Sequence, residues 1–156
     1  MNWADLIVLF AFFIYLFWLS WFDWKKKLLP LEPMYAAIVL FFIWQAFQGQ
    51  ALSSLVGMLV GAGFIGIQVL LSKGRWMGRG DLWFAASTGA FLGWPGEGVA
   101  LYLTYIVGGS IAVLLLLSGV YKRGMRIPFA PFLTLGAVLS VFWGSKIAEW
   151  FAERLA

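Results

Sequence analysis

The sequence predicts an all-α polytopic membrane protein, a bundle of six transmembrane helices with N- and C-termini outside, and three observations carry that prediction. Of 156 residues, 63% are hydrophobic and 12% charged, far from the balance of a soluble globular domain. The charges gather in short clusters that cut the chain into apolar runs long enough, or nearly so, to cross a bilayer. The basic residues fall in alternate loops, which sets an orientation. One bundle exhausts the sequence, so residues 1–156 are expected to form a single transmembrane domain, without low-complexity tracts or internal repeats.

The first run, about Leu6 to Phe22, has Asp5 before it and Lys25, Lys26 and Lys27 after it. A cleavable signal peptide carries its positive charge first, so this run reads as a retained helix whose C-terminal end is cytoplasmic. The second, about Met34 to Phe47, follows Pro30 and Pro33, which suit the approach or first turn of a helix. It ends at the uncharged turn Gln48-Gly49-Gln50. In the third, about Leu52 to Leu71, Gly57 and Gly61 form a small-xxx-small face for packing inside the bundle or between subunits. Lys73, Arg75 and Arg79 mark the next loop as cytoplasmic.

The fourth run, Leu82 to Trp94, spans about 20 Å as a helix, against a hydrocarbon core of about 30 Å. Asp81, just before it, is thus expected slightly inside the membrane boundary, in a water-accessible notch. Pro95-Gly96-Glu97-Gly98 is expected as an external turn. The fifth run, about Val99 to Val120, returns to the cytoplasm at Lys122, Arg123 and Arg126. The last opens with Ile127-Pro128-Phe129-Ala130-Pro131-Phe132, and two prolines three apart favour a broken or re-entrant entrance. Loops one, three and five hold nine of the eleven basic residues and loops two and four none. Asp23 and Asp81 therefore share the cytoplasmic side.

The chain has no cysteine and no histidine. That excludes thiol nucleophiles, histidine bases, a Ser-His dyad, Cys/His zinc sites and the His-Glu-x-x-His signature of membrane metalloproteases. No metal and no cofactor are expected. An ionisable residue at membrane depth is costly and calls for a partner or a task. Asp81, in Met77-Gly78-Arg79-Gly80-Asp81, and Asp23, at the equivalent edge of the first run, admit two readings. In one, Gly78 and Gly80 make a tight turn, Asp81 caps the helix that follows, and Asp23 pairs with Lys26 or Lys27. In the other, antiparallel neighbours set the two carboxyls face to face across a water, so that the pair shares a proton. One carboxylate then takes a proton from the attacking water while the protonated partner polarises a peptide carbonyl. Glycines beside Asp81 leave room for an extended substrate backbone. The separation of the two aspartates along the chain does not decide between these readings.

The remaining candidates are weaker. Arg79-Gly80-Asp81 matches an integrin-binding tripeptide but faces the cytoplasm beside lipid. Ser72 and Lys73, adjacent on a helix, do not face each other. Glu32 reads either as a third polar group near the site or, preferably, as an exposed loop acid, and Glu97 falls on the opposite side. Trp and Phe residues pack helices or sit in interfacial belts.

Ser20-Trp21-Phe22-Asp23 with Leu29-Pro30, then Met77-Gly78-Arg79-Gly80-Asp81-Leu82, then Ile127-Pro128-Phe129-Ala130-Pro131-Phe132 resembles the ordered motif set of the type IV prepilin peptidases and archaeal preflagellin peptidases, the Gly-x-Gly-Asp membrane aspartyl proteases. The resemblance implies that Asp23 and Asp81 are the catalytic pair, that Gly78 and Gly80 shape the site, and that Pro128 and Pro131 line or support it. It implies removal of a short basic leader from a prepilin-like or preflagellin-like membrane protein substrate, in the plasma (inner) membrane with the active site facing the cytoplasm. The expected partners are that substrate and the lipid bilayer, whose anionic headgroups the basic loops attract; no nucleic acid is expected.

There are departures from the pattern. The larger bacterial enzymes carry a cytosolic cysteine-rich segment and N-methylate the new terminus, whereas the loop from Asp23 to Pro33 is too short for one, so a peptidase without methyltransferase activity is expected. Trp83 stands where the family often has Lys, and Leu31 replaces an Asn. Presenilin-like proteases share Gly-x-Gly-Asp, but their Pro-Ala-Leu signature is missing. A non-enzymatic scaffold of a pilus or secretion apparatus is the alternative, and a transporter a weaker one.

Overall fold

A computed structural model describes residues 2–75, 77–119 and 128–155. The basic cluster of the fifth loop, Lys122, Arg123 and Arg126, and Ile127 lie outside them. All regular structure among the described residues is helical: α1 Trp3–Lys26, α2 Leu31–Phe47, α3 Ala51–Leu71, α4 Arg79–Leu117 and α5 Ala130–Leu155. By length and composition α1, α3, α4 and α5 can cross a membrane, and α2 is shorter at 17 residues. Among the described residues five helical elements stand against the six expected, because the expected fourth and fifth runs are continuous but for a break at Gly93 and Trp94.

That element is broken. Gly93 (φ 63°, ψ −172°) and Trp94 (φ −96°, ψ 137°) leave helical space and divide α4 into two arms, 79–92 and 95–117. A positive φ with extended ψ is open essentially to glycine alone. The arms fold back on each other, since Thr88 Oγ1 donates to Glu97 Oε1 at 3.1 Å although nine positions separate them. Pro95 then opens the return arm, where its missing N–H does no harm. The expected external turn at Pro95–Gly98 is corrected accordingly. The reversal is finished at Gly93 and Trp94, so Glu97 is drawn into the bundle and is only 1% exposed.

A break in the apolar interior frees backbone groups that lipid cannot satisfy. Side chains of α2 and α3 take them up. Gln45 Nε2 donates to Phe91 O, and Ser54 Oγ to Ala90 O at 2.7 Å. Ser53 Oγ donates to Trp94 O at 2.9 Å and accepts the Trp94 N–H at 3.1 Å. On the return arm, Ser140 Oγ of α5 donates to Gly96 O at 2.6 Å.

α3 packs against the first arm with backbone nearly on backbone. A methyl added at Gly57 would stand 2.5 Å from Gly89 O, and one at Gly61 would run into Ala85 O. The small-xxx-small face thus works inside the bundle. α1 lies antiparallel to the same arm, joined through large side chains. Phe12 stacks on Phe91 (centroids 3.8 Å, 17°) and meets Phe41 edge-on at 5.4 Å. The hydroxyls of Tyr15 and Ser87 meet at 2.7 Å. α5 is tied to α1 by the Ser20 and Thr134 hydroxyls, 2.5 Å apart, and by Thr134 Oγ1 donating to Leu16 O at 3.2 Å. The last turn of α1 therefore lies beside the first turn of α4 and the start of α5.

The glycine contacts make a paired prediction. Gly61→Ala drives a methyl into backbone and is expected to destabilise the bundle by about 1–3 kcal/mol. Gly63, whose added methyl would touch nothing within 4 Å, is expected to tolerate alanine with a neutral effect or a gain of up to about 1 kcal/mol. Thermal melting of both variants in detergent checks this; equal midpoints would refute the close-contact account.

Candidate active site

Three stretches remote in sequence meet at this end of the bundle. Asp23 lies in the last turn of α1, which closes when the Lys27 N–H (φ 51°, ψ 30°) donates to Asp23 O at 2.7 Å. The Asp23 side chain is 6% exposed. Its Oδ2 accepts the N–H of Ala130 at 3.1 Å. That donor is available because Ala130 opens α5, and the first N–H groups of a helix have no acceptor in their own turn. Pro128 and Pro131, on either side of it, have no N–H to offer. Pro128 is buried and Pro131 partly so. Lys25 and Lys26 do not serve Asp23; they lie over the rings of Trp21 and Phe22, 4.4 and 4.7 Å from the centroids.

Asp81 is the third residue of α4 and 8% exposed. Its Oδ2 accepts the Gly78 N–H at 2.9 Å, and its own N–H donates to Gly78 O at 3.2 Å. Gly78 is therefore the N-cap, and not Asp81 as one of the two sequence readings has it. Asp81 supplies the backward half of a capping box, a role open to an acid three positions into a helix. In both aspartates one oxygen is held by a main-chain donor.

Both acids lie where these three stretches converge. Two contacts hold them so. Gly80 lets the α1–α2 link press on the first turn of α4: a methyl at Gly80 would stand 2.7 Å from Leu29 Cβ. Tyr105, on the return arm of α4, closes the other side. Its hydroxyl donates to Gln68 Oε1 at 2.8 Å and stands 3.6 Å from Met77 Sδ, and its ring meets Phe129 edge-on at 5.8 Å. Leu29, Gln68 and Tyr105 are site neighbours that sequence reasoning missed. The one hint was Gln68, an amide in an otherwise apolar run.

The two glycines differ. Gly80 is required by crowding. Gly78 has an ordinary φ of −78° and is exposed, and a methyl there would reach nothing nearer than Asp81 Oδ2 at 3.4 Å. Glu32 is exposed in the first turn of α2, away from these contacts. Two carboxyls so oriented can do paired acid–base work, one taking a proton while the other gives one.

A family model described as the type IV leader peptidase family matches residues 10–117, a span that holds both aspartates and stops before Pro128. A prepilin leader peptidase/N-methyltransferase of Legionella pneumophila is 34% identical over 88 residues, 56% of this chain and 31% of that protein. One from Aeromonas hydrophila is 33% identical over 82 residues, 53% of this chain and 28% of the relative. One from Stutzerimonas stutzeri is 25% identical over 125 residues, 80% of this chain and 43% of the relative. In these matches the chain spans less than half the length of each relative. No solved structure matches.

Substitution separates the glycines. Gly80→Ala is expected to cost about 1–3 kcal/mol of stability, because Leu29 Cβ cannot move without its backbone. Gly78→Ala is expected to melt with the parent. Melting points of the two variants side by side decide it, and a Gly80→Ala protein as stable as the parent would show that the Leu29 contact does not constrain the site.

Proposed function

Since the chain belongs to the type IV leader peptidase family, we propose that it is an aspartic endopeptidase of the membrane that removes the short leader of a prepilin-like or preflagellin-like precursor. The observation that supports this reading is the burial of two carboxyls, Asp23 and Asp81, each oriented by a main-chain N–H, at one end of a membrane-compatible bundle.

In this reading a water stands between the carboxyls of the pair, which hold one proton between them. The ionised carboxyl takes a proton from the water as its oxygen attacks the scissile carbonyl carbon, and the protonated carboxyl gives its proton to the carbonyl oxygen. The tetrahedral diol then collapses. Its C–N bond breaks, the amine leaves with a proton from the acid that received the water's proton, and the other acid recovers its own from a diol hydroxyl. No cofactor and no metal enter this cycle. Gly78, exposed beside Asp81, leaves backbone-wide space for an extended substrate segment. Gly80 sets the approach of Leu29, and Pro128 and Pro131 flank the segment whose Ala130 N–H holds Asp23.

Lys25, Lys26 and Lys27 follow Asp23 after Trp24, and Lys73, Arg75 and Arg79 precede Asp81. By the positive-inside rule the acid end faces the cytoplasm, with the Trp3 end of α1 and the Leu155 end of α5 outside, in the plasma membrane. The same side chains favour anionic headgroups. We further propose cleavage without methyl transfer by these residues: four residues, 27–30, join α1 to α2, where no inserted segment stands.

Asp23→Asn and Asp81→Asn are each expected to lower cleavage of a co-expressed prepilin-like precursor by at least about 10³-fold, as loss of either member of a catalytic pair does, while insertion and melting remain close to the parent. Immunoblotting for leader removal and mass analysis of the product N-terminus read it out, the latter showing an unmethylated amine. Cleavage that survives either substitution would sink the aspartic mechanism. An inserted parent protein that cuts none of a panel of prepilin-like and preflagellin-like precursors would favour the scaffold role instead.

A further inference from the structure

We propose that Tyr105 is a positioning residue for the acid pair, a role that rests on the peptidase reading above. The argument lies in where its two ends touch. Gly78 N–H, which holds Asp81, belongs to the peptide that Met77 begins, and the Tyr105 hydroxyl stands 3.6 Å from Met77 Sδ. Ala130 N–H, which holds Asp23, belongs to the peptide that Phe129 begins, and the Tyr105 ring packs edge-on against Phe129 at 5.8 Å and 63°. One side chain thus braces the residue immediately before each donor.

The brace is itself held. The hydroxyl donates to Gln68 Oε1 at 2.8 Å, and Gln68 Nε2 donates to Phe64 O at 3.2 Å, which turns the amide oxygen toward Tyr105. Phe64 meets the tyrosine ring edge-on at 5.3 Å and 85°. Tyr105 is therefore fixed to α3 while touching the segments that enter α4 and α5. Those entries are irregular backbone, whereas α3 is a continuous helix. A tyrosine that served only as lipid-facing packing would not need its hydroxyl anchored in this way. The aromatic at Tyr102, three residues earlier, shows that alternative: it is exposed, and its one aromatic partner among the described residues is the Phe151 ring at 5.3 Å.

The absence of native cysteine allows the acid separation to be read without turnover. With Asp23→Cys and Asp81→Cys combined, a short bis-methanethiosulfonate reagent reports in membranes how often the two positions come within its span. Leader cleavage is measured separately in chains that keep both aspartates, with Asp81→Asn as the blank. Tyr105→Leu is expected to lower kcat by about 10- to 10²-fold, the cost of a misplacement on the order of 1 Å, with KM changed less than about two-fold. It should slow cross-linking as well. Tyr105→Phe keeps the ring and loses the anchor, and is expected to fall between Tyr105→Leu and the parent in both assays; Tyr102→Leu should match the parent.

The proposal is overturned if Tyr105→Leu cross-links and cuts like the parent, if its whole loss lies in KM, or if Tyr102→Leu loses as much. It is overturned too if the thiols introduced by Asp23→Cys and Asp81→Cys fail to cross-link in the parent background, since there is then no arrangement to maintain. Should Tyr105→Leu fail to fold by its melting curve, Tyr105→Phe decides alone. Continued cutting by Asp81→Asn would defeat the aspartic mechanism on which that reading rests, and cross-linking would still decide whether Tyr105 positions the pair.

Discussion

A carboxyl group at the edge of a membrane bundle needs a donor, and the donors here are main-chain N–H groups that helix starts leave unsatisfied. Ala130 and Gly78 supply them, one at the entrance of α5 and one at the cap of α4. A helix start is a fitting place for this, because its first turn has spare N–H groups and a dipole that favours negative charge. The cost is that three entries must converge: the last turn of α1, the first turn of α4 and the first turn of α5. Much of the packing serves that convergence. The Phe12–Phe91 stack and the Tyr15–Ser87 hydroxyl contact set α1 antiparallel to the first arm of α4, and the Ser20–Thr134 contact fastens α5 to α1.

The break in α4 is the second half of the same solution. To bring Tyr105 back to the acid end, the chain must reverse within the apolar interior, and every peptide group loosened there must find a partner. Gly93 supplies the backbone conformation, and Gln45, Ser53 and Ser54 supply the partners. The glycines at 57, 61 and 89 let α3 lie close enough for those short side chains to reach. Glu97 fits the interior less fully. Oε1 has Thr88, while Oε2 has no partner among the described residues.

Family membership and local geometry bear on different questions. The matched span of 10–117 covers α1 through the return arm of α4. The contact that orients Asp23 comes from outside that span, from Ala130, so the donor is visible only in three dimensions.

The sequence by itself determined that the chain is helical and membrane-compatible, because 63% hydrophobic composition broken by charge clusters leaves little other choice. It also singled out Asp23 and Asp81, since acids beside long apolar runs are costly enough to stand out, and it anticipated Gly57 and Gly61 as a packing face. It misplaced Glu97 and the reversal near it, because Pro-Gly-Glu-Gly has the composition of an exposed turn, and only the conformation of Gly93 moves the reversal upstream. In one of its two readings it made Asp81 the cap where Gly78 is one, since small shifts in register leave little trace in composition. Which N–H meets which carboxyl, the different duties of Gly78 and Gly80, and the bracing by Leu29, Gln68 and Tyr105 were decided by tertiary structure alone. Each depends on a separation of a few ångströms between residues remote in the chain, and spacing along a sequence carries no record of that distance.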